Sequence, residues 1–191
     1  MIRLYGTGWT VGAKRLLAAA VRTPKIIDQV VAREAHRFRN EVVKAFREQS
    51  GGGKKWSPRK RITDILAEAG VGQGGGGSKA LVRTGTLRNS TKVNRRGYAA
   101  YFVSQHRTGK RGADVARIHD QGPTKIPISK RMRNYFMYLF FKGVIPFPWP
   151  PRRARFIIIP RRSSMTDVFE KFKTGSRARV IADFAAQMRT L

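Results

Sequence analysis

The 191-residue chain has no cysteine. That one absence excludes disulfides, thiolate metal sites and thiol nucleophiles together, and it fits a protein folded in a reducing cytoplasm. Carboxylates are also scarce, with eleven Asp and Glu against forty Lys and Arg. The three histidines, His36, His106 and His119, are scattered. A metal-dependent hydrolase needs clustered Asp, Glu or His, and the only local grouping is His106, Asp114, His119 and Asp120. No catalytic, metal or cofactor site is therefore expected, and a metal-dependent nuclease is a remote alternative. No apolar run reaches the roughly 18 residues of a membrane span, and the N-terminus lacks a signal-peptide core. The expectation is a soluble chain with no membrane contact, not exported by that route.

What is present in excess is positive charge. The formal net charge is +29, far more than solubility requires and enough to drive copies apart unless something anionic is nearby. Residues 1–50 carry an excess of +6, residues 51–160 of +19 and residues 161–191 of +4. A polyanion or an acidic partner is implied. With 41% hydrophobic residues the chain can bury one core, so a single domain over 1–191 is expected.

Four parts are legible in order. The N-terminal part, 1–50, reads as a short strand at Met1–Tyr5 and then helical pattern from Val11. Thr23 before Pro24 reads as a fresh helix start of about 25 residues, with Ile27, Val31, Ala35, Phe38, Val42 and Phe46 as its apolar stripe. The part 51–80 is basic and glycine-rich. Gly51–Gly53 reads as a flexible hinge, and Lys54, Lys55, Arg59, Lys60 and Arg61 surround Trp56. That tryptophan either stacks on a nucleic acid or, more plainly, packs on the long helix. Ile62–Ala69 reads as a short helix, and the glycines of 70–78 as a tether. They are not a phosphate loop, since no G-K-[ST] follows.

The part 81–160 reads as a sheet core. Leu81–Ser90, L-V-R-T-G-T-L-R-N-S, looks like a tight turn at Gly85 entering a strand, with Leu87 directed inward. A hairpin over Thr91–Ser104 follows, then a mobile basic loop with Arg107, Lys110 and Arg111 between glycines, and a short helix capped by Asp114. Ile126–Ile128 reads as a strand, and Ser129 as the cap of a helix to about Phe141 with Met132, Tyr135, Phe136, Leu139 and Phe140 on its apolar side. Prolines exclude regular structure over Pro146–Pro151, and Ala154–Ile159 reads as a buried strand. The part 161–191 reads as two amphipathic helices, Thr166–Lys173 and Ser176–Met188. The fold class is α+β, a small antiparallel sheet packed against a long N-terminal helix with additional C-terminal helices.

The order of several short motifs resembles a known group. Trp56 and Pro58, then Leu81, Thr84, Gly85, Leu87 and Ser90, then Ile118, His119 and Gly122, then Arg155 and Phe156, are similar to the virion morphogenesis or tail-completion proteins of tailed bacteriophages, including the Mu-like neck proteins. The run Lys130–Phe136, K-R-M-R-N-Y-F, also matches. The likeness spans roughly residues 40–160. Two departures stand out, an unusually long glycine segment before Leu81 and about thirty residues after the last matching strand.

The resemblance implies a structural virion protein of the neck, made in the host cytoplasm. It would complete the tail or head end and join the two as a homo-oligomeric ring, of six or twelve copies, around the DNA channel. Its partners would be connector or portal-side proteins, tail proteins and, without sequence preference, DNA. Lys54, Lys55, Arg59, Lys60, Arg61, Arg107, Lys110 and Arg111 are the candidate DNA- or partner-facing groups. A basic nucleic-acid-binding protein, for DNA or of ribosomal RNA-binding type, remains the alternative that charge and interleaved aromatics suit equally well.

Overall fold

The computed structural model describes residues 7–58, 60–70, 86–104 and 115–190. It is a mixed helix and sheet fold. A 42-residue helix α1 (Thr7–Glu48) runs into a tight hairpin of β1 (Ser50–Gly51) and β2 (Lys54–Lys55), followed by α2 (Arg61–Glu68). A single helical turn α3 (Thr86–Asn89) leads into β3 (Lys92–Arg95) and β4 (Tyr101–Ser104), and α4 (Val115–Asp120) into β5 (Thr124–Pro127). Then come α5 (Lys130–Phe141), β6 (Phe156–Ile159) and α6 (Thr166–Met188).

The strands pair as three separate antiparallel ladders, β1–β2, β3–β4 and β5–β6, where the sequence suggests one sheet. In β3–β4, Val93 faces Val103, and in β5–β6, Ile126 faces Ile157. A two-stranded ladder covers only one of its faces, so β6 is not the buried strand expected: Phe156 and Ile158 are exposed while Ile157 and Ile159 turn inward.

Helix α1 also departs from expectation, because it does not restart at Thr23. Pro24 lies inside one continuous helix. Thr23 Oγ1 donates backward to the Ala19 carbonyl at 2.6 Å instead of capping forward, a bond available to threonine within a helix. The buried stripe is shifted by one residue at its start, to Ile26 and Val30, while Ile27 is exposed. It then passes through a buried carboxylate, Glu34, before Val42, Ala45 and Phe46.

Glu34 is tolerated there because α6 supplies its counter-charge. Arg179 donates to Glu34 Oε1 through Nε and Nη2 at 3.0 and 2.6 Å, and Arg37 bridges Glu34 to Asp183 at 3.1 and 2.9 Å. A buried charge held in a hydrogen-bonded network escapes most of the penalty of leaving water. Gly175 leaves room for the crossing arginine: a Cβ there would sit 2.7 Å from Arg179 Nη1. A glycine in mid-helix suggests a break, yet 166–188 forms one helix and not two.

Two apolar clusters form the core. One joins α1 to α6 through Val42, Ala45, Phe46 and Val168, with Phe38, Trp56 and Leu87 against it. The other centres on Ile62, Leu139 and Ile145, so that α2 packs on α5 and on the proline-rich segment that follows, where Trp149 meets Phe136 edge-on at 4.5 Å. Ser129 caps α5 as its position suggests, its hydroxyl accepting from the Met132 amide at 3.2 Å.

Candidate functional site

The motif pieces Trp56–Pro58 and Ile118–Gly122 are far apart in the chain but meet at one place, the segment Arg161–Asp167 that opens α6. The Trp56 indole donates to the Ser163 carbonyl at 3.1 Å and packs edge-on against Phe46 at 5.6 Å. Trp56 is thus committed to the core, as the plainer reading holds, and its ring is not free for bases. Arg162, itself buried, donates from Nε to the Ser57 carbonyl and from Nη2 to the Pro58 carbonyl, both at 3.1 Å, while its amide donates to the His119 carbonyl at 2.8 Å.

Asp120 is the centre of this joint. Its carboxylate accepts from Ser163 Oγ at 2.7 Å, from the amides of Met165 and Thr166 at 3.1 and 3.2 Å, and from the Thr166 hydroxyl. It acts as a long-range cap for a helix whose own N-cap, Met165, offers no side-chain acceptor. Ser163 Oγ in turn accepts from the Asp167 amide at 2.9 Å, and Arg161 joins the Asp120 carbonyl to the Asp167 carboxylate at 3.0 and 2.6 Å. Burial pushes the Asp120 carboxyl up, but the hydrogen bonds from Thr166, Ser163 and the two amides outweigh it and hold the group below the ordinary aspartate value. Burial and the Arg162 charge depress His119, against a smaller backbone contribution at Pro160, and its Nδ1 is buried with no hydrogen-bond partner. Both effects favour the neutral imidazole.

The glycines of the β1–β2 turn are part of the joint, not a hinge. Gly51 is buried, and a Cβ on it would lie 2.0 Å from the Ser163 carbonyl oxygen. Gly52, at φ +59, similarly lies under the Asp167 carbonyl. Close backbone approach demands glycine here. The flexible loop expected over 51–80 is therefore ordered through the hairpin and α2, and residues 71–80 lie outside the described residues.

Of the L-V-R-T-G-T-L-R-N-S stretch, Leu81, Thr84 and Gly85 lie outside the described residues. Leu87 packs inward against the α1–α6 cluster as expected, but from the helical turn α3 and not from the entry to a strand. Ser90 Oγ donates to the Leu87 carbonyl at 2.7 Å, and Arg39 of α1 ties the following Thr91 carbonyl at 3.1 Å. Of the other motif residues, Ile118 and Gly122 flank the joint, and the Thr124 hydroxyl donates to their two carbonyls at 3.4 and 3.5 Å. Phe156 starts β6 and Arg155 immediately precedes it, both with exposed side chains, and the Arg155 carbonyl accepts from the Ile128 amide at 2.9 Å.

Lys54, Lys55, Lys60 and Arg61 are exposed on and beside the hairpin; Arg59, Arg107, Lys110 and Arg111 lie outside the described residues. A cleft of about 540 Å³ between α1 and α6 is lined by Arg37, Lys44, Lys171 and Arg179 and also by Glu41 and Glu48. Two of those arginines are already spent on Glu34 and Asp183, so the cleft presents a compensated surface. Among the described residues no group of three or more His, Asp and Glu is placed to hold a metal ion, and no helix is long and apolar enough to cross a membrane.

Sequence reasoning placed Asp120 only in a thin His and Asp grouping and Thr166 only at a helix start, and it missed Arg161, Arg162 and Ser163. The one available signal, Ser164-Met165-Thr166-Asp167 with the spacing of a helix-start box, marks where α6 begins but not the side chain that caps it. Comparison of the chain with protein-family models, curated proteins and solved structures finds no match.

Proposed function

We propose that the chain is a structural protein of the tailed-phage neck, completing the tail or head end and joining the two as a ring around the DNA channel. The supporting observation is what becomes of the motif residues. Trp56, Pro58, His119 and their neighbours meet at the Arg161–Asp167 segment, where the polar groups are consumed in holding strands and helices together. Residues used this way make a frame, not a reaction centre, and the cationic groups of the hairpin are left facing outward. The role is non-catalytic. Its partners are further copies, the connector and tail proteins on either side, and DNA in passing. The test is genetic: a phage lacking the gene yields filled heads and tails that fail to join, or tails with abnormal ends. Normal infectious particles without the protein refute the reading.

A second reading, a basic nucleic-acid-binding protein, is favoured by one observation: no Asp or Glu occurs between Asp120 and Asp167. Light scattering separates the two. A ring-former assembles with structural partners, whereas a simple binder needs only the nucleic acid.

A further inference from the structure

The side of α5 turned away from the Ile62–Leu139–Ile145 cluster carries Arg131, Asn134, Tyr135, Tyr138, Phe141 and Lys142, all exposed. Spacings of three and four place Arg131, Tyr135, Tyr138 and Lys142 in one stripe along the helix. A soluble helix ordinarily turns such rings inward, yet Tyr135 is 48%, Tyr138 55% and Phe141 78% exposed. Lys142 Nζ already lies 5.8 Å from the centre of the Tyr138 ring, so cation and ring face share one patch. Among the described residues neither Arg131 nor Lys142 takes part in an ion pair. The adjoining segment adds Arg152 and Arg153 and is held to α5 by Arg133, which donates to the Pro151 and Ala154 carbonyls.

We propose that this stripe of α5 binds single-stranded nucleic acid. Eleven residues at about 1.5 Å rise set the two cations about 16 Å apart with two phenol rings between them. That is a phosphate, base, base, phosphate order along an extended strand, the pairing of basic track and stacking platform that single-strand binders use. A second copy of the chain is a poor occupant, because it brings the same uncompensated charge. An acidic protein satisfies the cations but leaves the ring faces against charged surface. Duplex DNA satisfies the phosphate contacts but keeps its base faces stacked away from the tyrosines. The inference stands apart from the neck reading, since it depends only on the side chains of α5.

The experiment is fluorescence anisotropy of the full chain with an oligothymidylate of about 20 nucleotides and a duplex of equal length, from about 50 mM salt upward. The single strand binds more tightly than the duplex. Tyr135→Ala with Tyr138→Ala weakens it by about 5- to 150-fold per stacked ring. The Phe replacements keep affinity near that of the parent, and Arg131→Gln with Lys142→Gln lowers the log-log salt slope by about 1.4. Tyr98→Ala, at an exposed ring on the β3–β4 turn, leaves binding unchanged. Because all these side chains are exposed, melting curves confirm that the variants remain folded. Equal affinity for the duplex, equal affinity for a polyglutamate of similar length, equal loss from Tyr98→Ala, or no binding at low salt overturns the proposal.

Discussion

Replacing Gly51 by alanine isolates the contact on which the α6 joint rests. The added Cβ would lie 2.0 Å from the Ser163 carbonyl oxygen, a backbone atom, when real Cβ contacts essentially never fall below 3.0 Å. The hairpin and the Ser163 segment must therefore part by about 1 Å, in the range where overpacking costs about 1–3 kcal/mol. The same carbonyl accepts from Trp56 Nε1 at 3.1 Å, and losing that bond adds about 1 kcal/mol. A total near 3 kcal/mol lowers Tm by about 6–12 °C in a chain of this size. Gly53→Ala is the internal control. Gly53 has φ +91 but nothing within 4 Å of its Cβ position, so only the backbone term of about 1 kcal/mol applies. Urea unfolding followed by circular dichroism measures both. If Gly51→Ala stays within about 0.5 kcal/mol of the parent, or if Gly53→Ala costs as much, close approach at Ser163 does not hold the joint.

Asp120 and Glu34 both have lowered folded-state pKa values, each because hydrogen bonds outweigh burial. Their stabilisation is present above their unfolded values near 4 and is lost as pH falls through the lower folded values; Asp120→Asn and Glu34→Gln each flatten stability measured across that acid limb. His119 is depressed chiefly by burial, so stability declines as pH drops from about 6.5 towards its folded value, and His119→Gln removes that component of the curve. Replacing Lys54, Lys55, Lys60 and Arg61 by glutamine reduces the log-log salt slope for duplex DNA by about 3.6 if they face phosphates, with the melting curve unchanged; an unaltered slope together with failed head–tail joining assigns their charge to acidic neighbours.

The elements with local signals were readable. Ser129 caps α5 and prolines keep 146–151 irregular, as side-chain chemistry within a few residues dictates. Leu87 turns inward because its stretch needs one apolar anchor. What escaped were decisions taken at a distance. Glu34 lies on the buried stripe of α1 only because Arg179, well over a hundred residues later, reaches it. Gly51 looks like a hinge until the Ser163 carbonyl is placed against it. Asp120 looked like one member of a thin His and Asp grouping, and its actual work is to cap α6. Periodicity shows which face of a helix is apolar but not which partner will neutralise an exception on it. The basic groups of the hairpin were found by composition, while Tyr135 of the α5 stripe was assigned to the apolar side of its helix because a helical run of aromatics usually marks a core face, and it is exposed instead.

The length of α1 changes how this molecule moves in water. Forty-two residues give a contour of about 63 Å at 1.5 Å per residue, whereas a compact chain of this size has a radius of gyration of only about 16 Å. The α6 contacts run from Val168 against the Val42 end of α1 to Arg179 against Glu34, and α6 itself is 23 residues long. Among the described residues the first turns of α1, with Leu17 and Val21 exposed, therefore extend beyond both α6 and the β3–β4 ladder, whose Arg95 pairs with Asp28. A rod projecting from a globule increases friction without adding mass, so a single chain elutes ahead of a sphere of 21.6 kDa and tumbles anisotropically. Only a mass measured by scattered light distinguishes an elongated monomer of this protein from a small compact oligomer.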